Sequence, residues 1–263
     1  MKPFVLEPGP PGRSLKDRVA LVTGSSRGIG AAIASLFAAE GARVVVHGRD
    51  AEAVRTVATS IEEVGGIAYG TTCELTRYEQ LEAMRQDIES RLGPVEIVVA
   101  NAGGSTVRPA PLEEISDADW RQSVDANLTA TFLTIKAFLP GMKKRGRGTI
   151  ITMSSAAARR PTERSPLAYA AAKAGIDVLT KELAAQVGAS GVRVNCIAPE
   201  TILTERNQQQ IPDDVKEQLR LAHPVPRLGV PDDVAQAALF LASDRSSWIS
   251  GVTLDVAGGS VLV

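Results

Sequence analysis

The feature that most narrows the folds open to this chain is an alternation of short β-branched runs with amphipathic stretches long enough to be helices. The runs Val19 to Thr23, Val44 to His47, Ile67 to Cys73, Ile97 to Ala100, Thr149 to Thr152, Val192 to Ile197 and Val252 to Asp255 read as strands. Helical patterns lie between them near Gly28 to Glu40, Ala51 to Val64, Arg77 to Arg91, Asp117 to Leu139, Ala168 to Val187 and Asp232 to Ala242. Parallel strands need such crossovers, so the alternation predicts an α/β fold: a doubly wound, seven-stranded parallel sheet with helices on both faces. A chain of 263 residues buries both faces within a single domain. No repeat or interdomain linker interrupts it. Residues 1–15, rich in Pro and Gly, read as a flexible N-terminal extension ahead of a catalytic unit spanning 16–263. The longest irregular segment, about 204–227, is polar, contains Pro212, Pro224 and Pro226, and reads as a substrate lid.

Composition removes several function classes. The formal net charge is −1 and the basic stretch Lys143 to Arg147 is short, so nucleic acid is not an expected partner. No apolar run reaches the roughly 18 residues that span a bilayer. Even the apolar stretch Thr131 to Leu139 is interrupted by Lys136. The first residues lack an apolar signal core, which points to the cytoplasm. Cys73 and Cys196 lack metal-ligand neighbours and read as reduced, buried thiols, while His47 and His223 form no ligand cluster, so no metal is expected.

The first strand runs into Thr23-Gly-Ser-Ser-Arg-Gly-Ile-Gly30, which opens the first helix. A dinucleotide loop belongs at that junction. Gly24 permits the turn, Gly28 lets backbone approach a pyrophosphate and Gly30 allows close helix packing, while Ser26, Arg27 and Ile29 complete a helix N-terminus with free N–H groups. Alone, this spacing is also that of an ordinary Gly-rich turn. In a Rossmann-type NAD site an acidic residue follows about 20 residues later. Here that place reads His47-Gly48-Arg49. Arg49 and Arg27 can donate to a 2′-phosphate, and Asp50 is more economically a helix cap, so NADP(H) is favoured over NAD(H).

Further along come Asn101-Ala102-Gly103, Asn127, Ser154-Ser155, Tyr169-Ala-Ala-Ala-Lys173 and the ending Ile249 to Gly259. With the glycine loop, this ordered set resembles the short-chain dehydrogenase/reductase family from about Lys16 to Gly259. The resemblance implies an enzyme that moves hydride between a nicotinamide and a ketone or secondary alcohol. It makes Tyr169 the general acid/base, Lys173 the ribose-holding cation, Ser155 the group bonding the substrate oxygen, and Asn127 the holder of a relay water. It also places Asn101, Ala102 and Gly103 along the adenosine ribose, Glu74 near the adenine edge, and Pro199, Ile202 and Thr204 by the carboxamide. Tyr169 and Lys173 lie one helical turn apart. A phenol with a pKa near 10 must lose about three units, roughly 4 kcal/mol, to trade protons near neutrality. A cation about 4 Å away supplies energy of that order at an effective dielectric near 20.

Glu200 stands where the family usually has Gly, and is expected to shape or polarise the substrate pocket. The style is that of 3-oxoacyl-(acyl carrier protein) reductases, and Lys143-Lys144-Arg145 suits an acidic carrier, although Ser190 stands where relatives that dock one carry a second arginine. Arg108, Arg159, Arg160 and Arg164 flank the expected cleft; surface solvation accounts for them more simply than an anionic substrate. An NAD-dependent alcohol dehydrogenase and a non-catalytic nucleotide sensor remain the alternatives. The family is commonly tetrameric, so a homotetramer is expected, with the apolar tail Val261-Leu262-Val263 either buried at such a contact or covering its own subunit.

Overall fold

The computed structural model describes residues 14–105, 107–162 and 165–262. The expected N-terminal extension therefore lies outside the described residues except for Ser14 and Leu15, and so do Arg164 and Val263. Leu15 is fully buried and its N–H donates to the Glu40 carbonyl at 3.0 Å, so these last two residues of the expected extension belong to the folded unit.

The chain alternates β1 (Val19–Val22), α1 (Gly28–Ala39), β2 (Arg43–Gly48), α2 (Ala51–Glu63), β3 (Ile67–Thr72), α3 (Tyr78–Leu92) and β4 (Val95–Ala100). It continues through α4 (Asp117–Val124), α5 (Ala130–Arg145), β5 (Gly148–Met153), α6 (Ala156–Arg159), α7 (Leu167–Val187), β6 (Val192–Pro199), α8 (Glu205–Gln210), α9 (Asp213–Ala222), α10 (Pro231–Ala242) and β7 (Thr253–Val256). The seven strands form one sheet in the order β3-β2-β1-β4-β5-β6-β7, and every pairing is parallel. Period-two alternation assigns the faces. Ala20 and Val22 of β1 join Ile33, Phe37 and Val234 beneath α1 and α10, whereas Val19 and Leu21 join Leu81, Ile88 and Phe138 beneath α3 and α5. Burial of two apolar layers holds the sheet.

Three departures from the sequence reading have local causes. The expected helix 117–139 is interrupted by a π turn, Asp125–Thr129, and then runs on through Pro140 to Arg145. Residues 204–227, expected to be irregular, instead fold largely into α8 and α9; Pro212 stands just before α9, where it starts a helix rather than breaking one. In β4 the register shifts at Glu96, whose carboxylate meets Arg147 at 3.0 Å and Arg18 at 3.6 Å.

Because all strands run parallel, the loops after β1, β2, β4, β5 and β6 gather at one edge. The strand order reverses between β1 and β4, the place at which open α/β sheets bind their ligands.

Candidate active site

The loop from β1 to α1 is clamped from three sides. Asn101, just past β4, donates its side-chain amide to the carbonyls of Thr23 at 2.9 Å and Gly24 at 3.2 Å, and Ala102 N–H donates to Thr23 Oγ1 at 3.1 Å. Ser25 Oγ donates to the Val22 carbonyl at 2.6 Å and accepts from His47 N–H at 2.9 Å. His47 Nδ1 accepts from Gly24 N–H at 3.3 Å, and its Nε2 faces the Cys73 carbonyl at 3.2 Å. That pattern fixes a neutral ring with the proton on Nε2. Burial depresses the His47 pKa, which favours the same neutral form.

This loop fits a pyrophosphate. A Cβ at Gly28, where φ is +56°, would stand 3.1 Å from Thr204 Cγ2, so a side chain there would narrow the passage between loop and Thr204. Asp50 caps α2 by accepting from Glu52 and Ala53 N–H groups at 3.1 and 3.2 Å, and Ser116 caps α4. At α1, by contrast, Arg27 makes no side-chain capping bond, which leaves the first N–H groups to an external anion. Ser26 Oγ lies beside Gly48, and Ile29 packs on the core. Arg27 and Arg49 are exposed at the mouth, Arg27 lying 3.7 Å from Asp50.

The chemistry-bearing side chains come from β5, α6 and α7. Ser155, just past β5, caps α6 through Ala157 N–H at 3.2 Å and stands within hydrogen-bonding reach of the Tyr169 hydroxyl. Lys173 is 3% exposed; its ammonium donates to the Met153 carbonyl at 2.8 Å and lies 5.6 Å from the Tyr169 ring centre. Ser154 serves the frame, donating to the Lys173 carbonyl at 3.1 Å. Asn127, in the π turn and wholly buried, spends its side chain on the Gly104 N–H (2.9 Å) and on the carbonyls of Gly104 (3.1 Å) and Ser123 (2.9 Å). It thereby ties the end of the Asn101–Gly103 loop to α4.

The electrostatics revise one expectation. Burial raises the Tyr169 pKa, and the group that lowers it here is Ser155 rather than Lys173. Lys173 is itself depressed to about 8 by complete burial, with partial compensation from Cys196 and Asp177. The ammonium still holds its proton at neutral pH.

The other expected residues are more dispersed. Glu74 folds back to accept from Thr76 Oγ1 at 3.2 Å. Pro199 ends β6, Ile202 is buried and bridged to Gly229, and Thr204 caps α8 by accepting from Asn207 N–H at 3.3 Å. Glu200 is not free to polarise a substrate, because its carboxylate accepts from Thr201 N–H and meets His223 Nε2 at 3.0 Å. Arg159 pairs with Asp255 at 2.6 Å and Arg160 donates to the Ser260 carbonyl at 2.8 Å, so both serve the fold. Arg145 likewise donates to the Val95 carbonyl at 2.6 Å. Among the described residues no cluster of three metal-ligating groups occurs, and no helix is long and apolar enough to cross a membrane. Sequence reasoning missed the roles of His47 and His223, whose partners lie 23 residues away in each case. For His47 its place at the end of β2 was the available signal; for His223 there was none.

Comparison with known proteins gives concordant results. A family model described as enoyl-(acyl carrier protein) reductase matches residues 24–260. The 7alpha-hydroxysteroid dehydrogenase of Escherichia coli (strain K12) is 37% identical over 247 residues, covering 94% of this chain and 95% of that protein. The crystal structure of a 3-oxoacyl-(acyl-carrier protein) reductase with bound NAD from Brucella melitensis is similar at a TM-score of 0.89 and 36% identity, covering 99% of this chain and 98% of that one. A gluconate 5-dehydrogenase from Burkholderia cenocepacia J2315 in complex with NADP and tartrate is similar at a TM-score of 0.88 and 33% identity, over 95% and 97% of the two chains.

Proposed function

This chain belongs to the short-chain dehydrogenase/reductase family, and from that premise we propose that it transfers hydride between NADP(H) and a ketone or secondary alcohol, with Tyr169, Ser155 and Lys173 at the reacting oxygen. One observation carries the reading: the Tyr169 and Ser155 hydroxyls and the buried Lys173 ammonium converge past the end of β5, on the sheet edge that holds the glycine loop. When bound, the nicotinamide supplies or accepts the hydride. The protein's own groups manage the oxygen. Ser155 donates to the carbonyl oxygen and Tyr169 gives it a proton in reduction, taking that proton back in oxidation. Lys173 holds the cofactor ribose, and the contact with Ser155 opposes the burial that keeps the phenol protonated. Asn127 keeps the Gly104 loop in register.

The NADP preference rests on Arg27, just ahead of α1, and Arg49, just past β2, while Asp50, the acid beside them, caps α2. The free thiols Cys73 and Cys196 suit a reducing cytoplasm. Exposed Phe132 and Val178 on one side, with Trp248 and Leu262 on another, suit burial in a homotetramer. Lys143 and Lys144 stay exposed at the end of α5, so a thioester on an acidic acyl carrier protein belongs in the substrate panel.

The test is a panel of steroid, sugar-derived and 3-oxoacyl thioester carbonyls assayed by NADPH oxidation, with NADPH and NADH affinities measured in parallel. Turnover is expected for at least one class. Replacing both Arg27 and Arg49 with Ala should weaken NADPH binding about tenfold or more while sparing NADH, as loss of charge-assisted bonds to phosphate implies. Equal weakening of the two nucleotides refutes the NADP assignment.

A further inference from the structure

We propose that Glu200 and His223 form a latch that holds α9 against the body of the protein, making them positioning residues for the substrate wall of the cleft. The excursion between Ile202 and Leu228 leaves and rejoins the body at the bridge Ile202 to Gly229, where Leu203 N–H donates to the Gly229 carbonyl at 2.8 Å. Between those pins the backbone is tied to the body by the Val225 N–H, which donates to the Gly258 carbonyl at 3.0 Å beyond α9, while α9 itself is held little. Among the described residues from 203 to 227, His223 is the only one that is buried, and α9 buries none of its own. Leu221, the next-to-last residue of α9, is 69% exposed. Amphipathic or not, a helix with no buried side chain has little to keep it in place.

His223 supplies the missing hold. Its Nδ1 faces the Leu219 carbonyl at 2.5 Å, closing the end of α9, and its Nε2 meets the Glu200 carboxylate at 3.0 Å. Glu200 follows Pro199, the last residue of β6, so its own backbone is fixed by the sheet. Behind the pair lies a cavity of about 290 Å³ lined by Val225, Arg227, Asp255 and Gly258 as well as the pair itself, which leaves α9 room to shift once the contact is lost. The glycine usual at position 200 offers no such partner.

Both ring nitrogens of His223 face acceptors, so the two contacts are filled together only by the doubly protonated ring. The other charged groups at this corner are already matched: Arg227 with Asp233, Asp255 with Arg159, and, on α9 itself, Arg220 with Glu217.

The role in substrate binding rests on the proposed reductase activity, but the latch itself does not. The test is amide hydrogen exchange over 205–222, expressed as protection relative to an unstructured chain. It compares the wild type with Glu200→Gly, Glu200→Gln and His223→Gln under one set of conditions. Protection of α9 should be about tenfold lower than in the wild type in Glu200→Gly and His223→Gln, with Glu200→Gln intermediate and sheet protection unchanged in all, as loss of a bond to a charged group implies. With a turned-over carbonyl, KM for that carbonyl should rise several-fold in Glu200→Gly while kcat stays within about twofold. Wild-type protection of α9 in Glu200→Gly overturns the latch, and lowered protection with unchanged KM overturns the positioning role. A wild type that reduces no carbonyl refutes the reductase reading instead, and the exchange data still decide the latch.

Discussion

The two walls of the cleft are built in opposite ways. The wall made by the β1–α1 loop, Asn101 and the β5–α7 junction is bonded at nearly every turn: Asn101 clamps two loop carbonyls, His47 accepts the Gly24 N–H, and Lys173 is sealed against Met153. The facing wall, α8 and α9, caps itself with Thr204 but buries only His223. On the proposed reading the first wall holds groups that must stay still while a proton moves, and the second lets substrate in and product out. Rigidity and access are thus assigned to different stretches of chain.

The sharpest challenge to that division comes from Lys173, because its burial serves function at a cost to the fold. The depression to about 8 corresponds to about 3 kcal/mol against the ionised side chain at neutral pH. Lys173→Met should therefore abolish most turnover, about 10²-fold or more, yet raise the stability of the cofactor-free protein by about 2 kcal/mol after the Met153 carbonyl loses its donor. The sign follows from linkage: the unfolded chain holds the proton more tightly, so wild-type stability rises between about pH 8 and the unfolded pKa of 10.5. The advantage of the variant should close over that interval in denaturant melts. An unchanged melt would show that the site is wetter than its burial indicates.

Asn101→Ala breaks the rigid wall directly. Leaving the Thr23 and Gly24 carbonyls without their donor should cost about 2 kcal/mol and weaken nucleotide binding about tenfold, measured by calorimetry. A variant that binds NADPH as well as wild type would mean the loop holds its shape unaided. The smallest effect belongs to His47. Burial lowers its pKa, so the unfolded chain takes up the proton first and stability falls as pH drops below the ordinary imidazole range. Protonation on Nδ1 also sets a donor against the Gly24 N–H. His47→Gln should flatten the acid limb of the stability profile; an identical acid limb would assign that slope to other groups.

How much of this was legible in the sequence depended on the range of the interaction. The strands, their parallel order and the glycine loop follow from local periodicity and from residues adjacent in the chain. Tyr169 and Lys173 share a helix face at a spacing visible by eye, so their proximity was readable too. The hidden parts are those settled by partners distant in sequence: Glu200 finds His223, Arg159 finds Asp255, and Asn127 finds the Gly104 loop. In 204–227 the error was one of weighting. Three prolines suggested an irregular segment, while Pro212 followed by Asp213 and Asp214 was a helix start with acids near its positive end. Nor did spacing reveal that burial, rather than the neighbouring ammonium, dominates the Tyr169 hydroxyl.

The most direct test of the whole account is single-turnover reduction of the best carbonyl by Tyr169→Phe with NADPH saturating. Loss of about 10²- to 10⁴-fold in the hydride-transfer rate, with nucleotide affinity within about threefold of wild type, is the predicted result. A folded variant that reduces the same carbonyl at the wild-type rate would contradict it.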